Sequence, residues 1–142
     1  DFIWEDFIKS LPEDCGAVQL MNIRYDSFTI EFSKWDIWDW SAGAYLINKD
    51  YAKRLLEEYK KGENHYNFVV PPPYHNSIPE TFLYREDWGM TYKLSCMVEN
   101  LEEDVLGGAI NGGERKHHKT SRDTIVKMWE SKYSEFDIKG NL

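Results

Sequence analysis

At 142 residues, with 42% hydrophobic and 30% charged content, the chain is long enough for one domain with its own core and short for two. That composition excludes general disorder, and no apolar run reaches the length of a membrane-spanning helix. A formal net charge of −8 argues against general binding to DNA or RNA, whose phosphates need a basic surface.

The sequence opens at Asp1 rather than Met, so a processed chain or a fragment is expected. No charged-then-apolar leader is visible, and a cytoplasmic location is expected on that ground. Cys15 and Cys96 form neither a CxxC nor a zinc pattern, and suit a reducing or indifferent compartment as small buried thiols.

In chain order, Asp1 to Leu11 reads as an amphipathic helix with apolar residues at helical spacing, stopped by Pro12. A turn at Glu13 to Gly16 leads to a short buried strand, Ala17 to Met21. Ser27 to Phe32 alternates, with Phe28, Ile30 and Phe32 on one face, and predicts a second strand. Trp35 to Trp40 (WDIWDW) is ambiguous. Residues 41 to 47 suit a buried strand or a turn approaching a site. A helix from Tyr51 to Lys61 follows, capped by Asn48 or Asp50, with Ala52, Leu55, Leu56 and Tyr59 inward and Gly62 at its end.

Further along, Asn67 to Val70 is a strand candidate and Pro71 to Pro73 a rigid spacer. Ile78 to Tyr84 predicts a short helix with Pro79 in its first turn. Thr91 to Val98 predicts a strand, and 99 to 113 a long acidic, then Gly-rich loop. The last helix is expected over Arg122 to Tyr133, capped by Thr120 or Ser121, with Ile125, Met128 and Trp129 inward. The tail from Ser134 is polar. Mixed helices and short strands give an α/β or α+β class, in a single domain over 1–142.

Four groups of residues could carry chemistry. Lys116 to Ser121 (KHHKTS) lies at the expected start of the last helix, where backbone N–H groups and the helix dipole favour an anion such as a diphosphate. His117 or His118 could ligate an accompanying cation. The alternative is a capped helix start with solvated basic residues. Glu99, Glu102, Glu103 and Asp104 form either a solvated acidic run or a source of a ligand or general base, Asp104 being nearest apolar residues. Glu80 at a helix start is a dipole partner or a positioned base. The tryptophans of WDIWDW fill a core or form a flat platform for a sugar face.

In order, Leu11-Pro12-Glu13-Asp14 before Gln19-Leu20, Gly43-Ala44-Tyr45-Leu46-Ile47 before Ala52 to Leu56, Ile78-Pro79-Glu80-Thr81-Phe82-Leu83, and Asp104 with His118 to Ser121 before Ile125 to Trp129 resemble family 25 glycosyltransferases and related sequences of large DNA viruses and bacteria. Cys15 stands where that family often has Trp, and Glu80 where it has Asp. The resemblance implies a GT-A-like mixed sheet flanked by helices, of which this chain is the second, acceptor-side half. It implies a nucleotide-sugar donor, a glycan or protein acceptor, and Mn²⁺ or Mg²⁺ in the complete enzyme. An upstream nucleotide-binding half would carry the D-x-D metal motif missing here. Glu80 and Asp104 are then the catalytic candidates. His118, Lys119 and Ser121 face the diphosphate, with His118 on the metal. Trp38, Trp40 and Tyr45 lie on the acceptor or sugar side. A catalytically silent carbohydrate-binding or interaction module is the alternative.

Overall fold

The computed structural model describes residues 3–23, 28–39, 41–69, 79–98 and the helix 112–139, the last with side chains at 116 and 118–132. Its elements are α1 (Trp4–Ser10), β1 (Ala17–Gln19), β2 (Ser33–Lys34), β3 (Tyr45–Ile47), α2 (Lys49–Tyr59), β4 (Lys60–Gly62), β5 (His65–Tyr66), α3 (Pro79–Leu83), β6 (Thr91–Lys93) and α4 (Gly112–Lys139). A 3-10 turn at Glu86–Trp88 links α3 to β6. The class is mixed α/β, with a mixed four-stranded sheet in the order β2-β6-β1-β3 and a separate β4-β5 hairpin. None of the helices among the described residues is long and apolar enough to cross a membrane.

The sheet is centred on β1. It runs antiparallel to β3, pairing Val18 with Leu46, and parallel to β6, pairing Gln19 with Lys93. All three β1 residues are buried, as expected of a strand flanked on both edges. Alternation along it sends neighbouring side chains to opposite faces. Ala17 packs with Trp35, Tyr51, Leu55, Tyr59 and Tyr84, on the side of α2 and α3. Val18 joins Phe7, Leu20, Tyr92 and Leu94 in a second cluster beneath α1.

Local chemistry explains where the elements stop. Leu11 is extended because it precedes Pro12, and α1 ends there. Only Phe7 of α1 is buried, while Ile3, Trp4 and Ile8 are exposed. The expected core-facing stripe is therefore one residue wide. Asn48 Oδ1 accepts from the Asp50 and Tyr51 amides and caps α2, as the sequence reading allowed. The helix ends at Tyr59, before Gly62, because Lys60 turns extended into the hairpin.

Three expected strands are corrected. Within Ser27 to Phe32, the described residues 28–32 are not a strand, and the pairing segment is Ser33–Lys34. Thr29 Oγ1 donates to the Glu31 carbonyl and accepts from the Glu31 amide, a local turn that competes with a ladder. Residues 67–69 are likewise not a strand; Asn67 N–H donates to Tyr59 O and closes the β4-β5 hairpin. The strand expected over Thr91 to Val98 ends at Lys93, after which Cys96 and Met97 amides both turn to Leu20 O. The acidic segment 99–111 and the spacer at 71–73 lie outside the described residues.

The last helix differs most from expectation. It begins at Gly112, not near Arg122, and runs 28 residues. Lys116 to Ser121 therefore lies inside the helix. Thr120 Oγ1 donates back to Lys116 O, one turn earlier. The helix is fixed to the sheet by Ser121, Ile125 and Trp129, which recur every four residues. Ser121 Oγ donates to Ile23 O at 2.6 Å, Ile125 is buried, and Trp129 Nε1 donates to Ser95 O at 2.6 Å.

Candidate functional site

The carboxyl ends of the parallel pair β1 and β6 carry Gln19 and Lys93 side by side. Ligand sites of open α/β sheets lie outside such ends. Here residues 35–39 and Ser41 lie against them, with the Asp39 and Ser41 carbonyls both bonded to Gln19. Asp39 N–H donates to Asp36 O at 2.8 Å, the Asp36 amide donates to Asp39 Oδ2 at 2.9 Å, and the Trp38 amide donates to Asp36 Oδ1. Residues 35–39 of the ambiguous WDIWDW segment are thus a side-chain-stapled turn. It buries Trp35 and leaves Trp38 exposed.

Asp39 is the hub of this turn and is only 1% exposed. Its Oδ1 accepts from Lys93 Nζ at 2.7 Å and from Asn22 Nδ2 at 3.1 Å. Its carbonyl accepts from Gln19 Nε2 at 3.1 Å and Trp35 Nε1 at 3.0 Å. A buried carboxylate is tolerable only when paired and hydrogen-bonded in this way. Gln19 Nε2 also donates to Ser41 O at 2.8 Å, while Gln19 Oε1 is buried without a hydrogen-bond partner among the described residues.

Ser41 joins this polar cluster to α3. It is the one non-glycine with positive φ among the described residues, at 129°. Such strain persists only where surrounding contacts over-determine it. Its carbonyl is held by Gln19, its Oγ accepts from the Gly43 amide at 3.0 Å, and its own N–H donates to Glu80 Oε1 at 2.9 Å. Glu80 is half-buried, on the first turn of α3. One carboxylate oxygen is thereby fixed by a rigid backbone donor.

Beside Glu80 and Ser41 opens a groove of about 630 Å³. Their chain neighbours Pro79 and Ala42 line it, with Tyr45 of β3 and Leu56 of α2. Tyr45 is exposed and lies edge-on to Tyr84, with ring centroids 6.3 Å apart. The Tyr84 hydroxyl is fully buried and without a hydrogen-bond partner among the described residues. Burial first, and the Glu80 charge second, push its pKa far above the usual tyrosine range.

The structure thus places Tyr45 on the groove wall, Glu80 next in the chain to Pro79 of that wall, and Trp38 on the turn held by Asp36 and Asp39. Trp40 and Asp104 lie outside the described residues. His118, Lys119 and Ser121 are on α4, beyond its first turn, so the helix-start anion site is corrected: within a helix the amides are already committed to backbone carbonyls. Ser121 is 3% exposed and directs its hydroxyl to Ile23 O, which closes it to a ligand. His118 is half-buried in a small crevice with Met21 and Met97, and Lys119 is exposed. Among the described residues no group of three His, Cys, Asp or Glu side chains is placed to hold a metal ion.

Sequence reasoning singled out none of Gln19, Asn22, Asp39, Ser41 and Lys93 as site residues. One signal was present. Gln19 interrupts the apolar run of a strand read as buried, and a buried amide needs partners. Two other ionic groups stand away from the site. Arg85 makes a bidentate pair with Asp87, at 2.8 and 2.6 Å, and lies over the Trp88 ring. Asp14, Lys34 and Tyr92 hydrogen-bond to one another across the edge of the sheet.

No protein-family model, curated protein or solved structure matches this chain.

Proposed function

We propose that the chain is the acceptor-side part of a glycosyltransferase with a GT-A-like fold, moving a sugar from a nucleotide-sugar donor to a glycan or protein acceptor. The observation that carries this reading is Glu80: a half-buried carboxylate with one oxygen held by the Ser41 amide at 2.9 Å, while the chain neighbours of this pair, Pro79 and Ala42, line an open groove. In the resembling family this position bears the acceptor-side acid. A carboxylate so anchored presents its second oxygen in a fixed direction, suited to an acceptor hydroxyl or to taking its proton as the new glycosidic bond forms. The nucleoside diphosphate leaves with the electron pair of the broken bond.

The described residues do not form a metal site by themselves. Mn²⁺ or Mg²⁺ belongs, on this reading, with the D-x-D carboxylates of an upstream half, and no step assigned to Glu80 runs through it. His118 and Lys119 remain candidates for donor contact as side chains on a helix face. Asp104 is a second candidate acid from the resemblance.

The test is release of nucleoside diphosphate from a panel of nucleotide sugars by the full-length polypeptide with Mn²⁺. Glu80→Gln is expected to lower release by about 100-fold or more, the range of a positioned base, with an unchanged melting temperature. Absence of release from every donor, together with no melting shift on adding nucleoside diphosphate and Mn²⁺, overturns the reading.

One observation favours a second reading, a carbohydrate-binding module without transfer. Trp38 is 55% exposed on a turn held by three hydrogen bonds, a preformed platform for an apolar sugar face. That reading predicts glycan binding independent of nucleotide and lost in Trp38→Ala.

A further inference from the structure

The groove beside Glu80 has a chemistry of its own. Every described residue that lines it is apolar or aromatic, including Ile47 and Leu56, both exposed. A bare sugar ring presents hydroxyls that need hydrogen-bond partners on leaving water, and these side chains supply almost none. The groove favours a hydrocarbon or aromatic group instead.

Its size selects among apolar occupants. A volume of about 630 Å³ is within the range of small-molecule sites, about 300–1,000 Å³. Its described lining is 11 residues, against about 20–30 on each side of a standard protein interface. Its position selects further. Ala42 and Pro79 on its wall are the chain neighbours of Ser41 and Glu80, which are hydrogen-bonded to each other.

We infer that this groove is a subsite for an apolar alkyl or aryl group of a small acceptor, attached beside the hydroxyl that meets Glu80. The inference rests on the sugar-transfer reading, which it deepens by naming the acceptor class. The groove then takes the aglycone.

Methyl and hexyl β-D-glucopyranoside are the probes, titrated into the full-length protein with methyl groups of Leu, Ile and Ala isotopically labelled for NMR. The hexyl compound is expected to bind at least about 30-fold more tightly, a conservative share of five added methylenes at about 0.8 kcal/mol each. Shifts should concentrate at Ile47, Ala52, Leu55, Leu56 and Leu83. Leu56→Lys, at a position 49% exposed and therefore compatible with folding, should abolish the chain-length gain while leaving the melting temperature in place. Equal binding of both glucosides, binding of neither, or a gain that survives Leu56→Lys overturns the subsite. So does a concentration-dependent dimer dissolved by Leu56→Lys, which assigns the groove to a second copy. Nucleoside diphosphate release is followed separately. Chain-length-dependent binding without release counts against the transferase reading alone, and release with no preference for the hexyl acceptor counts against the subsite alone.

Discussion

Replacing Asp39 with Asn tests whether the turn over the sheet ends is held by a buried ionic hub. Three donors reach its carboxylate: Lys93 Nζ at 2.7 Å, Asn22 Nδ2 at 3.1 Å and the Asp36 amide at 2.9 Å. Asn keeps the shape but converts one oxygen into a donor. Either the Lys93 side or the Asp36 side then faces donor against donor, about 1–3 kcal/mol for a buried unsatisfied group. The Lys93 side chain, 14% exposed, also loses its countercharge, and breaking a buried pair costs about 3–5 kcal/mol in all. At this chain length the loss corresponds to a fall of about 10–20 °C in melting temperature. Urea unfolding at low temperature gives the free energy, because a typical stability of about 5–15 kcal/mol leaves the variant folded there. In a double-mutant cycle with Lys93→Met, the double variant should be less destabilised than the sum of the singles by about 1–3 kcal/mol. Singles that each cost under about 1 kcal/mol and add without coupling would show that the pair is solvated and the hub does not hold the turn.

Two glycines should respond in opposite measure. A Cβ at Gly16 would fall within the Tyr51 ring, which cannot retreat because its hydroxyl is bonded to Leu83 O and the Arg85 amide; Gly16→Ala should cost about 1–3 kcal/mol or more by overpacking. Gly89 has φ 65° and nothing near its missing Cβ, so Gly89→Ala should cost only about 1 kcal/mol of backbone strain. Urea midpoints that reverse this order defeat the packing argument. Burial, aided at Cys15 by the Asp14 charge, raises both thiols from 9.0 to about 11, and burial raises Tyr51 from 10.0 to about 12. The folded chain then holds more protons than the unfolded one between pH 9 and 12. Stability from these groups is complete below pH 9 and declines as pH rises through that window. Cys15→Ala with Cys96→Ala should flatten the decline between pH 9 and 11 in urea midpoints, and an unchanged slope counts against a shift at these half-buried thiols.

Much of the secondary structure was legible because it is decided locally. Pro12 stops α1, Asn48 caps α2, Pro79 opens α3, and a short apolar stretch broken only by Gln19 marks β1. Glu80 and Tyr45 were singled out in the sequence, and the structure describes where each lies. Strand pairing was not legible, because alternation is a property of one segment and a ladder needs two. Phe28 to Phe32 alternates as well as any strand, yet Thr29 bonds to Glu31 and the pairing passes to Ser33–Lys34.

The site shows the same division more sharply. Sequence alone determined the chemistry at hand: a carboxylate at a helix start, aromatic residues to meet apolar surfaces, and basic residues near the end of the chain. Only the tertiary structure decided which groups work together. Ser41 and Glu80 are 39 positions apart and share a hydrogen bond; Asp39 and Lys93 are 54 apart and share a charge pair. Such contacts depend on the parallel register of β1 and β6, which sets Gln19 beside Lys93. The helix-start reading at Lys116 to Ser121 failed for the converse reason. A local capping signal lies within the longer α4, and Ser121 bonds to Ile23 of the body instead of serving as a cap.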